Sequence, residues 1–372
     1  MMYDLIIKNA RTLENQPIEV AIFDGKIAEI APEITAESSE ILDAKQDFIS
    51  AGWIDAHVHC FEKMSLYYDY PDEVGVKNGV TTIVDAGSTG ENNIRDFYEL
   101  SKNAKTNVYA LLNISKDGIV FQDELADLTK VNEAKNLARI QELSDFIIGI
   151  KARMSQSVIG KNGVKPLILA KKLQKKADLP LMVHIGTAPV VLEELMTYLT
   201  AGDIVTHCFN GKDNGILDKD GKIKEFAKKA YQDGVHFDIG HGTDSFNFQV
   251  AMQAKAEHIL ADSISTDTYL RNRLDGPVYN LATTMEKLIY SGYSLEQVIS
   301  RVTVAPAKAL RLVTKGQLAI GFDADLTLFQ VNTHANKHLT DSNHAIVETS
   351  VQITPTTAII SGKIYHIQNK GS

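Results

Sequence analysis

Cysteine is nearly absent from this 372-residue chain. Two residues, Cys60 and Cys208, are too few for a disulfide framework or a four-cysteine zinc knuckle. Long apolar runs are missing too, and none approaches the ~20 residues that a membrane helix needs. The stretch from Met1 to Ala10 lacks the basic-then-apolar build of a secretion signal, so the cytoplasm is the expected compartment. Positive charge is in deficit: 38 Lys and Arg face 47 Asp and Glu, for a formal net charge of −9. That balance argues against nucleic acid or an anionic membrane as partner. It does not argue against a small anionic substrate, because a pocket sets its own local field. Short-period repeats and low-complexity tracts are absent, and no histidine precedes position 57.

What remains is an ordinary globular composition, 44% hydrophobic and 23% charged, long enough to bury a large core. Both ends read as β material. Tyr3–Lys8, Glu19–Phe23 and Lys26–Ile30 are apolar and β-branched, with Asp24-Gly25 as a hairpin turn. Asp325–Phe329, Thr357–Ile360 and Lys363–Ile367 match them at the other end, with Ser361-Gly362 as a turn. The middle alternates strand and helix. Candidate strands are Phe48–Asp55, Val80–Asp85, Asn107–Asn113, Phe146–Lys151, Leu181–His184, Ile204–His207, Val235–Ile239 and Ile259–Asp262, the last reaching as far as Asp267. Helix-length amphipathic segments lie between most of them, among them Pro166–Ala177, Lys222–Gln232 and Phe246–Lys255. Two more helices, Val278–Ser291 and Ser294–Leu310, follow. Eight such units predict an α/β fold, a parallel (β/α)₈ TIM barrel rather than an open sheet. The expected division is a barrel over 51–315 and a small flanking β-sandwich built from 1–50 and 316–372.

The eleven histidines are where chemistry concentrates. His57-Val58-His59 ends the first barrel strand, and residues two apart on a strand face the same side. Both imidazoles can therefore reach one ion, although such a pair can also be two satisfied surface histidines. Further candidates close other strands: Lys151 on the fourth, His184 on the fifth, His207 on the sixth and Asp267 near the eighth. A lysine ending a wholly apolar strand is costly unless paired or chemically changed. His184 and His207 taken alone suit the core, and Asp267 taken alone suits a helix N-cap. Sites of this fold gather at the C-terminal strand ends, however, and all six candidates lie there.

The set His-x-His, Lys, His, His and Asp on strands one, four, five, six and eight closely resembles the binuclear amidohydrolase superfamily. Ala51-Gly52-Trp53-Ile54-Asp55-Ala56-His57-Val58-His59 looks like its opening motif. Gly79 to Asp85, Ala305 to Leu310 and Gly321 to Leu326 resemble later ones, so the resemblance spans nearly the whole chain. It implies two divalent metal ions, with zinc as the expected metal. His57, His59 and Asp267 would hold the more buried ion, and His184 and His207 the second. Lys151 would be an N6-carboxylysine bridging both. The nucleophile would be a bridging hydroxide, and Asp267 would move its proton to the leaving group. Such proteins often assemble, so a homo-oligomer is compatible with the resemblance.

Substrate is less legible. Phe61 stands where dihydroorotase-like members carry a carboxylate-gripping arginine, and Lys151 argues against the one-metal deaminases. Arg153, two residues after Lys151, is the replacement anchor expected here, since a guanidinium fork suits a carboxylate. Gly149 to Ser155 and Asp238-Ile239-Gly240-His241-Gly242 look like a branch of deacetylases acting on acetylated α-hydroxy acids and, more weakly, N-acetyl D-amino acids. Its members have often been labelled dihydroorotase or adenine deaminase. His241 is a candidate substrate contact there, or else part of a tight turn that needs glycine. Asn113 and Tyr269 are further pocket candidates, and Cys60 and Cys208 read as packing residues. The expected activity is thus a metal-dependent deacetylase acting on a small carboxylate-bearing molecule, with a cyclic amidase (hydantoin- or dihydroorotate-opening) as alternative and a purine deaminase as a weaker one.

Overall fold

The computed structural model describes residues 2–368; Met1 and residues 369–372, at the tips of the expected terminal unit, lie outside them. Seven parallel strands form one curled sheet in chain order: Trp53–Val58, Val80–Ala86, Asn107–Asn113, Ile147–Arg153, Leu181–His184, Ile204–Thr206 and His236–Asp238. Val80–Ala86 is buried along its whole length, as expected when helices cover one face of a strand and the barrel interior the other. Helices such as Ile94–Ser101, Glu133–Glu142, Lys165–Ala177, Glu225–Gln232 and Phe248–Ala256 supply that cover. Their starts obey local chemistry: Asn132 and Asn247 each accept a hydrogen bond from a first-turn amide.

The eighth stave is not a regular strand. Residues 263–268 bridge the seventh strand through Asp238–Ser263 and the first through Val58–Thr268, both in parallel. Backbone hydrogen bonds run to both sides: His241 N to Ser265 O and Gly242 N to Thr266 O, then Asp267 N to His57 O and His59 N to Thr268 O. Side chains replace the missing ladder. Asp238 accepts from Ser263 and Ser265, and Asp55 accepts from the amide and hydroxyl of Thr266. Polar residues in this stretch break the apolar pattern, which is why the expected strand at Ile259–Asp262 begins too early.

Strands from both chain ends form a second, eight-stranded sheet. Its order is Lys363–His366, Gln352–Ile360, Leu326–Asn332, Phe48–Ala51, Tyr3–Arg11, Pro17–Phe23 and Lys26–Ala31, with Ser38–Asp43 also paired to Tyr3–Arg11. The sheet curls until its two margins approach through 321–324: Ile27 N donates to Phe322 O, and Gly362 N to Ala324 O. Leu5, Ile7, Val20, Ile22, Leu326 and Ile359 fill the core inside the curl. A separate hairpin, Lys337–Thr340 with Ile346–Thr349, lies where the sequence reads simply as polar.

One expected strand, Phe48–Asp55, is two. Phe48–Ala51 pairs with Leu326–Asn332 in the terminal sheet, and Trp53–Val58 starts the barrel. The break falls at Gly52, where a Cβ would lie 2.1 Å from Thr81 Oγ1. The expected helix Ser294–Leu310 likewise divides into Leu295–Arg301 and Val304–Ala309. Among the described residues no helix is long and apolar enough to cross a membrane.

The two sheets meet around Phe329, which is fully buried and packs on Phe48 and Trp53 at ring-centroid distances of 5.8 and 5.4 Å. Phe329→Ala is expected to lower unfolding free energy by about 3–5 kcal/mol, the usual cost of emptying a buried aromatic site. Equilibrium denaturation with urea measures it; a loss under about 1 kcal/mol would mean that the seam adds little.

Candidate metal centre

The barrel mouth brings His57, His59, Lys151, His184, His207 and Asp267 around one cavity. His57 and His59 point the same way because they sit two apart at the end of the first strand. Both meet Asp267 Oδ1, through Nε2 at 3.3 and 3.0 Å. Lys151 Nζ lies 3.0 Å from His57 Nε2. Ligand atoms of His57, His207 and Asp267 all lie within 4.8 Å of one another, a spacing that can hold a metal ion.

Three of the imidazoles are oriented from behind. His57 Nδ1 meets Thr206 Oγ1 at 2.9 Å, and His59 Nδ1 meets Ser88 Oγ at 2.8 Å. His207 Nδ1 donates to Gly240 O at 2.6 Å. These contacts leave the Nε2 atoms for the cavity, the arrangement in which a second partner fixes the tautomer of a metal-binding histidine. Thr206 in turn donates to Asp238, and Ser88 N to Asp85. His184 differs: its Nδ1 is buried and has no hydrogen-bond partner among the described residues. A buried imidazole nitrogen without a partner is costly, and a cation is the missing partner that its lone pair suits.

Electrostatics favour the same conclusion. Burial holds His57 and His184 well below the usual imidazole range and His207 down to about 4, so these three lone pairs are free at neutral pH. Burial also pulls the Lys151 amine down to about 7. Asp267 goes the other way. Burial opposes its charge, but a hydrogen bond from His59 and the positive field of its neighbours keep it below the usual carboxylate range. The donor set therefore fits a divalent cation.

The backbone is strained at two of the candidate ligands. Asp267 and His207 adopt left-handed φ values of 51° and 71°, which non-glycine residues seldom occupy. Asp267 is not a helix cap; Tyr269 takes the N-cap position of Leu270–Leu274. Glycines make room nearby. A Cβ on Gly240 would lie 2.2 Å from Thr206 Oγ1, and one on Gly242 would lie 2.5 Å from Asp267 Oδ2.

That spacing explains the Gly-His-Gly motif, which sets His241 behind the cavity. Its ring is fully buried and does not line the cavity. Nδ1 is held by Gly242 O at 2.8 Å, Nε2 by Lys287 Nζ at 2.7 Å, and the ring stacks on Phe246. Neither nitrogen is left for a substrate. Arg153 does line the cavity, but its fork is taken: Nε and Nη2 each reach Glu124 at 2.7 Å. Glu124, distant in sequence, gave no pattern that would have marked it.

Tyr269 lines the cavity, as expected, together with Tyr67, Lys212, Thr243 and Ser245, which the sequence did not single out. Asn113 does not; it is buried and donates to Gly87 O. Gly87 in turn leaves room for Lys151, since a Cβ there would fall 2.7 Å from the lysine Cβ. Cys60 and Cys208 are buried, and burial pushes both thiols well above their ordinary range, in keeping with packing roles. His236 bonds Ser263, and His338 is a surface residue near Glu348.

Gly242→Ala tests the geometry. The added methyl forces Asp267 aside, and a misplacement of about 1 Å costs on the order of 100-fold in rate. Steady-state hydrolysis at fixed metal content is the readout; wild-type rates would show that Asp267 needs no such clearance.

Comparison with known proteins agrees with this architecture. A deacetylase-like composite domain matches residues 318–366. A deacetylase of Enterococcus faecalis is 57% identical over 98% of this chain and 100% of its own. Deacetylase Atu3266 of Agrobacterium fabrum is 37% identical over 91% and 84%. A solved structure described as an adenine deaminase superposes with a TM-score of 0.97 at 57% identity, covering 98% of this chain and 100% of its own. Another, described as a dihydroorotase, gives 0.89 at 34% identity with 98% of both chains covered. With such identity along its full length, the chain belongs to the deacetylase family of the amidohydrolase superfamily.

Proposed function

We propose that the protein is a metal-dependent deacetylase that hydrolyses an acetyl ester, or less readily an acetyl amide, next to a carboxylate on a small molecule. One observation carries this reading. Neutral imidazoles, a lysine amine and a carboxylate converge on a single cavity in a chain that aligns end to end with a deacetylase. His57, His59 and Asp267 would hold one ion, His184 and His207 the second, and Lys151, as N6-carboxylysine, would lie between them. Two divalent ions held there, with zinc as the expected metal, would supply Lewis acidity toward a carbonyl and toward water.

The remaining chemistry belongs to the chain. A lysine adds carbon dioxide only as the free amine, forming the N–C bond of a carbamate and releasing a proton. Burial makes that form accessible to Lys151 near neutral pH, since its pKa falls to about 7. Thr206 and the Gly240 carbonyl hold His57 and His207 in fixed tautomers, and Ser88 orients His59. Asp267, ionised and partly open to the cavity, is placed to accept a proton at Oδ and return it to the leaving oxygen or nitrogen.

Size and polarity agree with a small acid. The cavity measures about 130 Å³, below the roughly 300–1,000 Å³ of sites for drug-sized ligands. Arg153 offers a carboxylate its Nη1, because Nε and Nη2 are held by Glu124. Phe61 is buried against Phe97, so no cation replaces it at the position where dihydroorotase-like proteins carry theirs.

Two experiments follow. Lys151→Ala should bind fewer than two divalent ions per chain and lose acetate release by about 10³-fold, the equivalent of several kcal/mol of transition-state stabilisation. Metal analysis beside a coupled acetate assay reads both; full metal content with full activity would refute the carbamate bridge. Chelated wild-type protein should recover acetate release from O-acetyl 2-hydroxy acids only when a divalent metal and bicarbonate are returned together. Recovery without metal would end the metal-dependent reading.

A further inference from the structure

Among the cations that line the cavity, Lys212 stands apart. Arg153 is neutralised by the bidentate contact to buried Glu124, and Lys151 points at His57. Lys212 Nζ, by contrast, has no acidic or hydrogen-bonding partner among the described residues. Its side chain is half-exposed at the cavity, where an arriving anion would find an unpaired positive charge.

The backbone that carries it is pinned. Asn210, itself buried, donates through Nδ2 to His207 O at 2.8 Å and accepts Lys212 N at Oδ1 at 3.0 Å. Gly215 N donates to Lys212 O. Gly211 has no space for a side chain, since a Cβ would lie 2.5 Å from Asn343 Oδ1. Lys212 is thus fixed five residues beyond His207, by a side chain that grips His207 itself. Lys212 and Arg153 line the same cavity, and of the two only Arg153 has an acidic partner among the described residues.

Resting on the deacetylase reading above, we propose that Lys212 is the substrate-binding residue that receives the carboxylate and sets the preference for acidic substrates. Arg153, locked to Glu124, chiefly shapes the wall and adds a single donor. A lysine acts here as a point charge at the end of a flexible stem, which admits acids of differing side-chain bulk.

The test compares wild type, Lys212→Met and Lys212→Arg, each reconstituted with zinc and bicarbonate and checked for metal content. Each is assayed on an O-acetyl 2-hydroxy acid and on its carboxamide counterpart. The expected result is a fall of about 10- to 100-fold in the carboxylate-over-carboxamide ratio of kcat/KM for Lys212→Met, the value of a charged hydrogen bond, with most of the ratio kept by Lys212→Arg. Calorimetric binding of the free 2-hydroxy acid should weaken by a similar factor. An unchanged ratio and unchanged binding in Lys212→Met would overturn the assignment. If wild type releases acetate from neither compound, the deacetylase reading fails, and the binding titration still decides whether Lys212 receives the carboxylate.

Discussion

Two buried carboxylates, Asp55 and Asp238, hold this barrel closed. The stave at 263–268 does not build a regular ladder, and these two side chains accept from the hydroxyls of Ser263, Ser265 and Thr266 and from the amide of Thr266. Burial pushes Asp55 up to about 7 and raises Asp238, which is the cost of placing carboxylates inside a wall. Their return is position. Asp238 holds Thr206, and Thr206 orients His57. Asp55 holds Thr266, immediately before Asp267. Barrel closure and site geometry are therefore one hydrogen-bond network, and neither can be altered without the other.

Much of the site was legible because strand periodicity and residue type point in the same direction there. His57, His59, Lys151, His184 and His207 each end a recognisable apolar run, and each lines the cavity. Asp267 was legible as a residue but not as part of a regular strand, because serines and threonines that bond to Asp55 and Asp238 look like a loop. The junction at Gly52 was hidden for a different reason. Phe48–Ala51 and Trp53–Val58 are both apolar, and hydropathy does not reveal which sheet a strand joins. Partners from distant segments left no local trace at all. Glu124 decides what Arg153 has left to offer, and Lys287 decides where His241 points.

The pairing of Arg153 with Glu124 also bears on how names travel among such proteins. Solved structures with the same fold have been described as an adenine deaminase and a dihydroorotase, while curated relatives at 57% and 37% identity over most of the chain are deacetylases. The fold is shared among these chemistries, so it cannot discriminate between them. In this chain Phe61 packs inward and Arg153 is already committed to Glu124, while Tyr67, Tyr269 and Thr243 line the same cavity.

The terminal sheet sets an order on synthesis. Tyr3–Arg11 and Phe48–Ala51 leave the ribosome first, yet Phe48–Ala51 pairs with Leu326–Asn332, nearly three hundred residues later. Until that segment emerges, the apolar edge at Phe48–Ala51 and the face of Trp53 that Phe329 covers have no partner. The whole barrel must be translated while this edge stays open, an exposure of the kind that chaperones or fast local collapse have to shield. Truncation anywhere before Leu326 would leave not a shorter enzyme but a barrel with a sticky margin.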